Sequence, residues 1–391
     1  MDLSVIMLTW EFPPRIIGGI APHVYNLSTQ LVKLGVDVQV VTCDFPNTPE
    51  YEVVEGVAVH RFDSYKHPTP DFAAWIQLMN LNMQRAATQI IKTKKGRAII
   101  LHAHDWLTAK AGIGLKHLNR LPLVTTIHAT EYGRRGGVFT EYNQMIHEIE
   151  VWLGHESKKV ICCSRFMAEQ VNKVLGVPYE KIQVIPNGID PKIFSGLKDV
   201  DAVRSRFVDK NGVLILFVGR LVVEKGVRVL LDAIPKVLRK VDARFVIAGD
   251  GYMKNEVLSR ISQDGLKDKV AVTGYLDTEM IRKLFLAADV CVVPSIYEPF
   301  GIVALEAMAA GCPVVASDTG GLSEIIEHEK TGIKVYPNNA DSLAWGILRV
   351  LESKELVEQI RKNMREKVER EYKWSAIAEA TKNVYEKVVA N

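Results

Sequence analysis

Runs of β-branched and aliphatic residues, each followed by a longer amphipathic stretch, recur along the whole 391-residue chain. LSVIMLTW (3–10) precedes APHVYNLSTQLVKLG (21–35), where Gly35 closes a helix. DVQVVTC (37–43), AIILHAH (98–104), LPLVTTIHA (121–129) and SKKVICCS (157–164) continue the series, and IQVIPNG (182–188) ends it. Strands that are apolar at nearly every position are buried on both faces, which calls for a parallel sheet with helices on each side. After the polar stretch IDPKIFSGLKDVDAVRSRF (189–207) the alternation restarts. It runs through GVLILFVGR (212–220), a helix over 226–240, ARFVIAGDG (243–251), VAVTGYL (270–276), ADVCVVPS (288–295) and CPVVASD (312–318). The expected fold class is therefore α/β: two Rossmann-like, doubly wound domains with a linker near residue 190. Such sheets bind ligands beyond the carboxyl ends of their strands, and two of them facing each other place a ligand in the cleft between domains.

Composition narrows the function. Lys and Arg number 49 against 46 Asp and Glu, a net charge of +3. That balance excludes the basic excess of a nucleic-acid binder. The five cysteines (Cys43, Cys162, Cys163, Cys291, Cys312) form no Cys-x-x-Cys and read as reduced core residues. The opening MDLSVIMLTW has no basic region and enters a strand at once, and no apolar run reaches the roughly 20 residues of a membrane span. A cytoplasmic protein without membrane insertion is expected. Small basic clusters, KTKKGR (92–97) and GRR (133–135), read as surface charge or as contacts to anionic lipid.

The strand ends carry unusual residues. EFPPRIIGGIAPHV follows the first strand, and Gly18-Gly19 stands before a helix. This pair reads either as a cradle whose amides approach an anion or as a turn needed only for geometry. His102, His104 and Asp105 end one strand. His128 ends the next, followed by Glu131, Arg134 and Arg135. A zinc site from His102, His104 and His128 lacks an acidic or Cys ligand, so no metal is expected. In FVGRLVVEKGV, Arg220 and Lys225 flank a short loop that leads into a helix near Gly226, an arrangement suited to a diphosphate. In EPFGIVALEAMAAG a helix should start near Phe300 or Gly301 and end at Gly311. Glu298 stands just before it and Glu306 nearly two turns in, among small apolar residues that make a solvated face a poor account of Glu306. Carboxylates accept pairs of vicinal hydroxyls, so Glu298 suits a sugar ring and Glu306 a ribose, with the amides of Phe300, Gly301, Ile302 and Val303 beside them.

Glu298-x7-Glu306, GRLVVEKGV, VIPNGID and the early Gly-Gly together resemble family 4 of the retaining glycosyltransferases, over essentially the whole chain. TWEFPP, HAHDW and IHATEYGR look most like the glycogen and α-glucan synthases of that family. The resemblance implies the GT-B fold. Its first domain, 1–190, is joined by a returning helix at 373–391, and its second, nucleotide-sugar-binding domain is 191–372. It implies Arg220 and Lys225 on the donor diphosphate, Glu306 on the ribose and Glu298 on the donor sugar. It also implies His128 near the transferred hexose, Gly18 and Gly19 near phosphate and acceptor, and Tyr275 in GYLD near the base. Asp105, Glu11 and Arg15 would lie on the acceptor side. The expected donor is ADP- or UDP-glucose, the partner a carbohydrate acceptor, and the cofactor none, since no Asp-x-Asp strand end is present to hold a metal. Family 5 glucan synthases carry Lys-x-Gly-Gly, whereas this chain has Ile16 at the lysine position and Arg15 as the nearest cation. Disaccharide or sugar-phosphate synthesis and lipid glycosylation remain open, as do a sugar-nucleotide epimerase and a non-catalytic binding module. The donor base, the acceptor and the oligomeric state are not set by these motifs.

Overall fold

A computed structural model describes residues 2–64, 67–94 and 96–390; Lys95 of the KTKKGR cluster lies outside them. The chain forms two compact units. One is Met1–Gly188 with Trp374–Asn391, and the other is Ile189–Lys373.

Among the described residues the first unit holds eight strands: β1 (Leu3–Leu8), β2 (Asp37–Cys43), β3 (Tyr51–Val54), β4 (Val57–Phe62), β5 (Ala98–His104), β6 (Leu123–Ile127), β7 (Lys159–Cys162) and β8 (Ile182–Val184). Their order is β3-β4-β2-β1-β5-β6-β7-β8. All pairs are parallel except β3 with β4. Every residue of β1 is buried, as expected for a strand covered on both faces. The β3–β4 hairpin was not anticipated from the alternation. It forms because Glu55 and Gly56 both adopt positive φ (48° and 85°), the conformation of a tight two-residue turn. The edge it makes is half exposed, so its apolar signal is weak.

One core lies on each face of this sheet. On one side Leu8, Leu101 and Ala103 pack against Trp75, Met79 and Met83 of helix Phe72–Thr93. On the other, Val5, Met7 and Ile100 share a cluster with Trp374, Ile377, Tyr385 and Val388 of the last helix, Trp374–Ala390. The Tyr385 hydroxyl meets His102 Nδ1 at 2.6 Å, so this helix is joined to β5 by a buried polar contact as well as by apolar packing.

The second unit has six parallel strands: β9 (Val213–Val218), β10 (Ala243–Ala248), β11 (Val270–Gly274), β12 (Val290–Val293), β13 (Val314–Ser317) and β14 (Ile333–Val335). Their order is β11-β10-β9-β12-β13-β14. The chain winds outward in one direction from β9 and then restarts at β12 in the other, so the strand order reverses between them. In the first sheet the same reversal falls between β1 and β5. At such points the loops diverge and leave a crevice.

Helix starts follow side-chain chemistry. Asp71, Thr140, Ser164, Asp277 and Asn339 each accept from a backbone N–H of the first turn. Gly176 and Gly311 end helices in the left-handed conformation. All five cysteines are buried, and none forms a disulfide.

Gly226 marks the tightest constraint. Its φ is +70°, and a Cβ there would lie 1.8 Å from the Pro294 carbonyl oxygen. Gly226→Ala should destabilise the chain by about 3 kcal/mol or more, from left-handed strain plus backbone overlap. Urea unfolding measures this, with Gly265→Ala, where φ is +68° but the space is open, as the strain-only control.

Candidate active site

In the second unit the loops after β9 and β12 flank the reversal point and are bonded to each other. Ile296 N–H donates to the Glu224 carbonyl at 2.8 Å. Lys225 Nζ meets Glu298 Oε2 at 2.7 Å, and Ser295 Oγ donates to the same oxygen at 3.0 Å. The Glu298 side chain is 11% exposed and the Lys225 side chain 23%, so the pair is held in a largely desolvated pocket. The Glu298 carbonyl accepts from Gly321 N–H at 2.9 Å, which ties the loop after β13 to the same place.

Arg220 is the more open cation. Its side chain is 59% exposed and touches Glu224 at 3.1 Å, a surface pair that an arriving anion can outcompete. Phe300 is buried, and Gly301 starts helix Ile302–Ala310 with φ +114° and no side-chain cap. The first amides of that helix, at Ile302 and Val303, are therefore not satisfied by a cap. Glu306 lies on the same helix, partly covered by its apolar neighbours. Desolvation pushes its carboxyl up to about 7, with Arg282 pulling the other way. Tyr275 follows β11 and is 73% exposed.

In the first unit the residues gather beyond β1, β5 and β6. Glu11 is buried, and its carboxylate accepts from the amides of Ile17 and Gly18. Burial holds its proton affinity above the usual carboxylate range. The Gly18 amide is thus already occupied, and Glu11 shapes the glycine loop from within. Gly19 is the residue before helix Ile20–Lys33 and has no side-chain cap. Arg15 is also buried, with its guanidinium 5.8 Å from the ring centres of both Trp10 and Trp75. The glycine loop is therefore held from within by Glu11, with Arg15 packed beside the two indoles.

Asp105 is buried and adopts φ +58°. Its Oδ1 accepts from His128 N–H at 2.7 Å, which locks the end of β5 to the end of β6. Burial raises its pKa to about 6, against the pull of Arg134. His128 Nε2 lies 3.2 Å from His104 Nδ1. Burial lowers the His128 pKa to about 4, so its ring is neutral near pH 7.

Two buried polar groups at this end of the sheet escape sequence reasoning. His23 sits on the buried face of helix Ile20–Lys33, where a histidine reads as core, yet its ring stacks edge-on against His128 at 4.7 Å. Glu150 lies inside helix Glu141–Glu156, and both its oxygens face the Glu131 amide at 2.8 and 3.0 Å. No spacing motif marks either residue. Conversely, His102, expected beside His104, has both ring nitrogens engaged, by Tyr385 and by Thr126.

Two family models cover most of the chain: Glycosyltransferase Family 4 over residues 17–193 and Glycosyl transferases group 1 over 201–367. An uncharacterized glycosyltransferase of Methanocaldococcus jannaschii is 42% identical over 98% of both chains. The chain is a family 4 glycosyltransferase. The glycogen synthase of Mycobacterium tuberculosis is 34% identical to this glycosyltransferase, over 98% of its length and 94% of the relative's. The solved sucrose-phosphate synthase of Thermosynechococcus elongatus matches with a TM-score of 0.86 and 25% identity over 99% of both chains. The two parallel-sheet units are those of the GT-B fold. No described helix is long and apolar enough to cross a membrane.

The glycosyltransferase's buried carboxyl at Glu150 gives a pH test. Burial raises its pKa to about 8, opposed by Arg134 and reinforced by Asp105 and Glu131. A raised folded pKa means that the proton-bound form is favoured on folding. That stabilisation is complete below about pH 4.5 and is lost as pH rises through 8. The melting temperature of the wild type should therefore fall between pH 6 and 9 more steeply than that of Glu150→Gln. Parallel curves would show that the carboxyl is not held protonated.

Proposed function

We propose that this glycosyltransferase moves a glucosyl group from ADP- or UDP-glucose to the non-reducing end of an α-glucan, with retention of anomeric configuration and without a metal. The observation that carries the reading is the Lys225–Glu298 pair at the strand-order reversal of the second unit, beside an uncapped helix start and an accessible Arg220. The 34% identity to a glycogen synthase supports the choice of sugar and acceptor.

Breaking the bond from C1 of the sugar to the β-phosphate oxygen leaves charge on a diphosphate. Stabilising that charge is the largest demand on the protein. Lys225, Arg220 and the amides of Ile302 and Val303 supply fixed positive potential for it. Glu298, already oriented by Lys225 and Ser295, accepts hydroxyls of the sugar ring, and Glu306 accepts the two ribose hydroxyls. The incoming acceptor hydroxyl bonds to C1 on the face the phosphate leaves, and its proton passes to the departing phosphate oxygen. His128, neutral, exchanges a hydrogen bond with a sugar hydroxyl and is held in place through its backbone by Asp105. No protein nucleophile is required, and a glycosidase-type mechanism would need a second carboxylate across the bond. The likeness to a sucrose-phosphate synthase favours one further reading, in which a small sugar phosphate is the acceptor.

Release of nucleoside diphosphate, with chelator present throughout, tests the proposal. Each of ADP-, UDP- and GDP-glucose is paired in turn with glycogen, maltooligosaccharides, glucose and glucose phosphates. Glucan-dependent release with chain extension is expected; release only with glucose phosphates would move the function to sugar-phosphate conjugation. Lys225→Ala and Glu298→Gln should each lower kcat/KM by about 100-fold or more with circular dichroism unchanged.

Donor affinity should also follow the Glu306 proton. The carboxylate accepts vicinal hydroxyls, and with a pKa of about 7 it is mostly protonated at pH 6. Donor binding by calorimetry should tighten about tenfold from pH 6 to 8 and lose that slope in Glu306→Gln. An unchanged slope would remove Glu306 from the ribose.

A further inference from the structure

Three imidazoles converge beyond the ends of β5 and β6 in the first unit. His23, His104 and His128 each offer a ring nitrogen, and the three nitrogens lie within 4.8 Å of one another. Ring centres are 4.7 Å apart for His23 and His128 and 5.5 Å apart for the other two pairs. The sequence gives no reason to expect a metal on His102, His104 and His128, and the structure groups the rings differently: His102 is spent on Tyr385 and Thr126, and His23 stands beside His104 and His128 instead.

Hydrogen bonding leaves the cluster incomplete. His23 Nδ1 meets Asn187 Oδ1 at 2.7 Å, which fixes the proton on Nδ1 and leaves the Nε2 lone pair unused. His23 Nε2 and His104 Nε2 are both buried without a partner. An orphaned buried imidazole nitrogen is costly, and an ion held by His23 Nε2 beside the His104 Nδ1–His128 Nε2 contact would satisfy that one, while His104 Nε2 lies on the other edge of its ring.

We propose that His23, His104 and His128 form a binding site for a borderline transition-metal ion of the zinc class. Zinc–nitrogen bonds of about 2.0–2.1 Å set tetrahedral ligand nitrogens about 3.3 Å apart. His104 Nδ1 and His128 Nε2 already meet that spacing at 3.2 Å, so with the free His23 Nε2 as third ligand the His23 ring closes by about 1.5 Å at most. Asn187 supplies the outer hydrogen bond that orients a metal-ligating histidine. The Asp105 carboxylate, on the His128 amide, places a negative charge nearby. His128 is only partly buried, which gives the ion an entry path and leaves a fourth position for water. Binding takes one lone pair from each neutral ring and changes no oxidation state.

Cobalt(II) is the probe, because four-coordinate cobalt absorbs in the visible. One cobalt per chain is expected, displaced by zinc, with zinc raising the melting temperature and quenching by cobalt of the Trp374 indole, 5.6 Å from the His23 ring. His23→Gln and His128→Gln should each weaken binding at least tenfold, while His117→Gln, at the exposed His117–Glu156 pair, leaves it unchanged. If His23→Gln fails to fold, His128→Gln on the more open ring decides. Absence of cobalt absorption at millimolar metal, or binding that survives both substitutions, overturns the proposal. These readouts need no turnover, so they stand apart from the donor and acceptor assays.

Discussion

The ion pair of Lys225 with Glu298 joins the loops of the two strands between which the second sheet reverses its winding. Both charges are mostly withdrawn from water, and a withdrawn charge is tolerated only while its partner remains. The pair depends in turn on backbone approach. Gly226 lies where any side chain would strike the Pro294 carbonyl, and Gly320 lies 2.0 Å, at its absent Cβ, from the Glu298 carbonyl. The loops touch through their main chains, so the lysine and the carboxylate are positioned before any ligand arrives. Preorganisation of this kind lets a site stabilise developing charge without reorganising at the moment of reaction.

The first unit reaches rigidity by another route. Three buried carboxylates there serve backbone amides: Glu11 holds the glycine loop after β1, Asp105 holds His128 and Glu150 holds Glu131. Each is taken from solvent, and burial raises the proton affinity of all three. Their role is to fix the loops that carry His128 and Gly19. The positive φ of Asp105 belongs to the same arrangement, since an aspartate tolerates that conformation better than most residues.

The two-sheet architecture was legible because strands buried on both faces leave continuous apolar runs, and the helix bearing Glu306 was legible from its flanking glycines. The β3–β4 hairpin was not, because an exposed edge lacks such a run. Lys225 and Glu298 could each be singled out at strand ends, but their pairing could not, since the contact spans 73 residues and rests on loop geometry. Glu11 and Arg15, placed on the acceptor side only through the resemblance, show local contacts that the sequence does not carry: the folded loop turns one onto amides and sets the other beside two indoles. His23 carries no sequence signal beyond a polar residue on an apolar helix face.

The helix Trp374–Ala390 completes the core of the unit that the chain began with. The 185 residues of Ile189–Lys373 intervene, and at ribosomal rates of about 5–20 residues per second they take roughly 10–40 s to synthesise. Throughout that interval the face of the first sheet around Val5, Met7 and Ile100 lacks its final cover. The second unit is contiguous and can close as soon as it emerges. The half of the protein made first is therefore finished last, and its nascent form exposes an apolar surface for which a chaperone or a neighbouring nascent chain would compete.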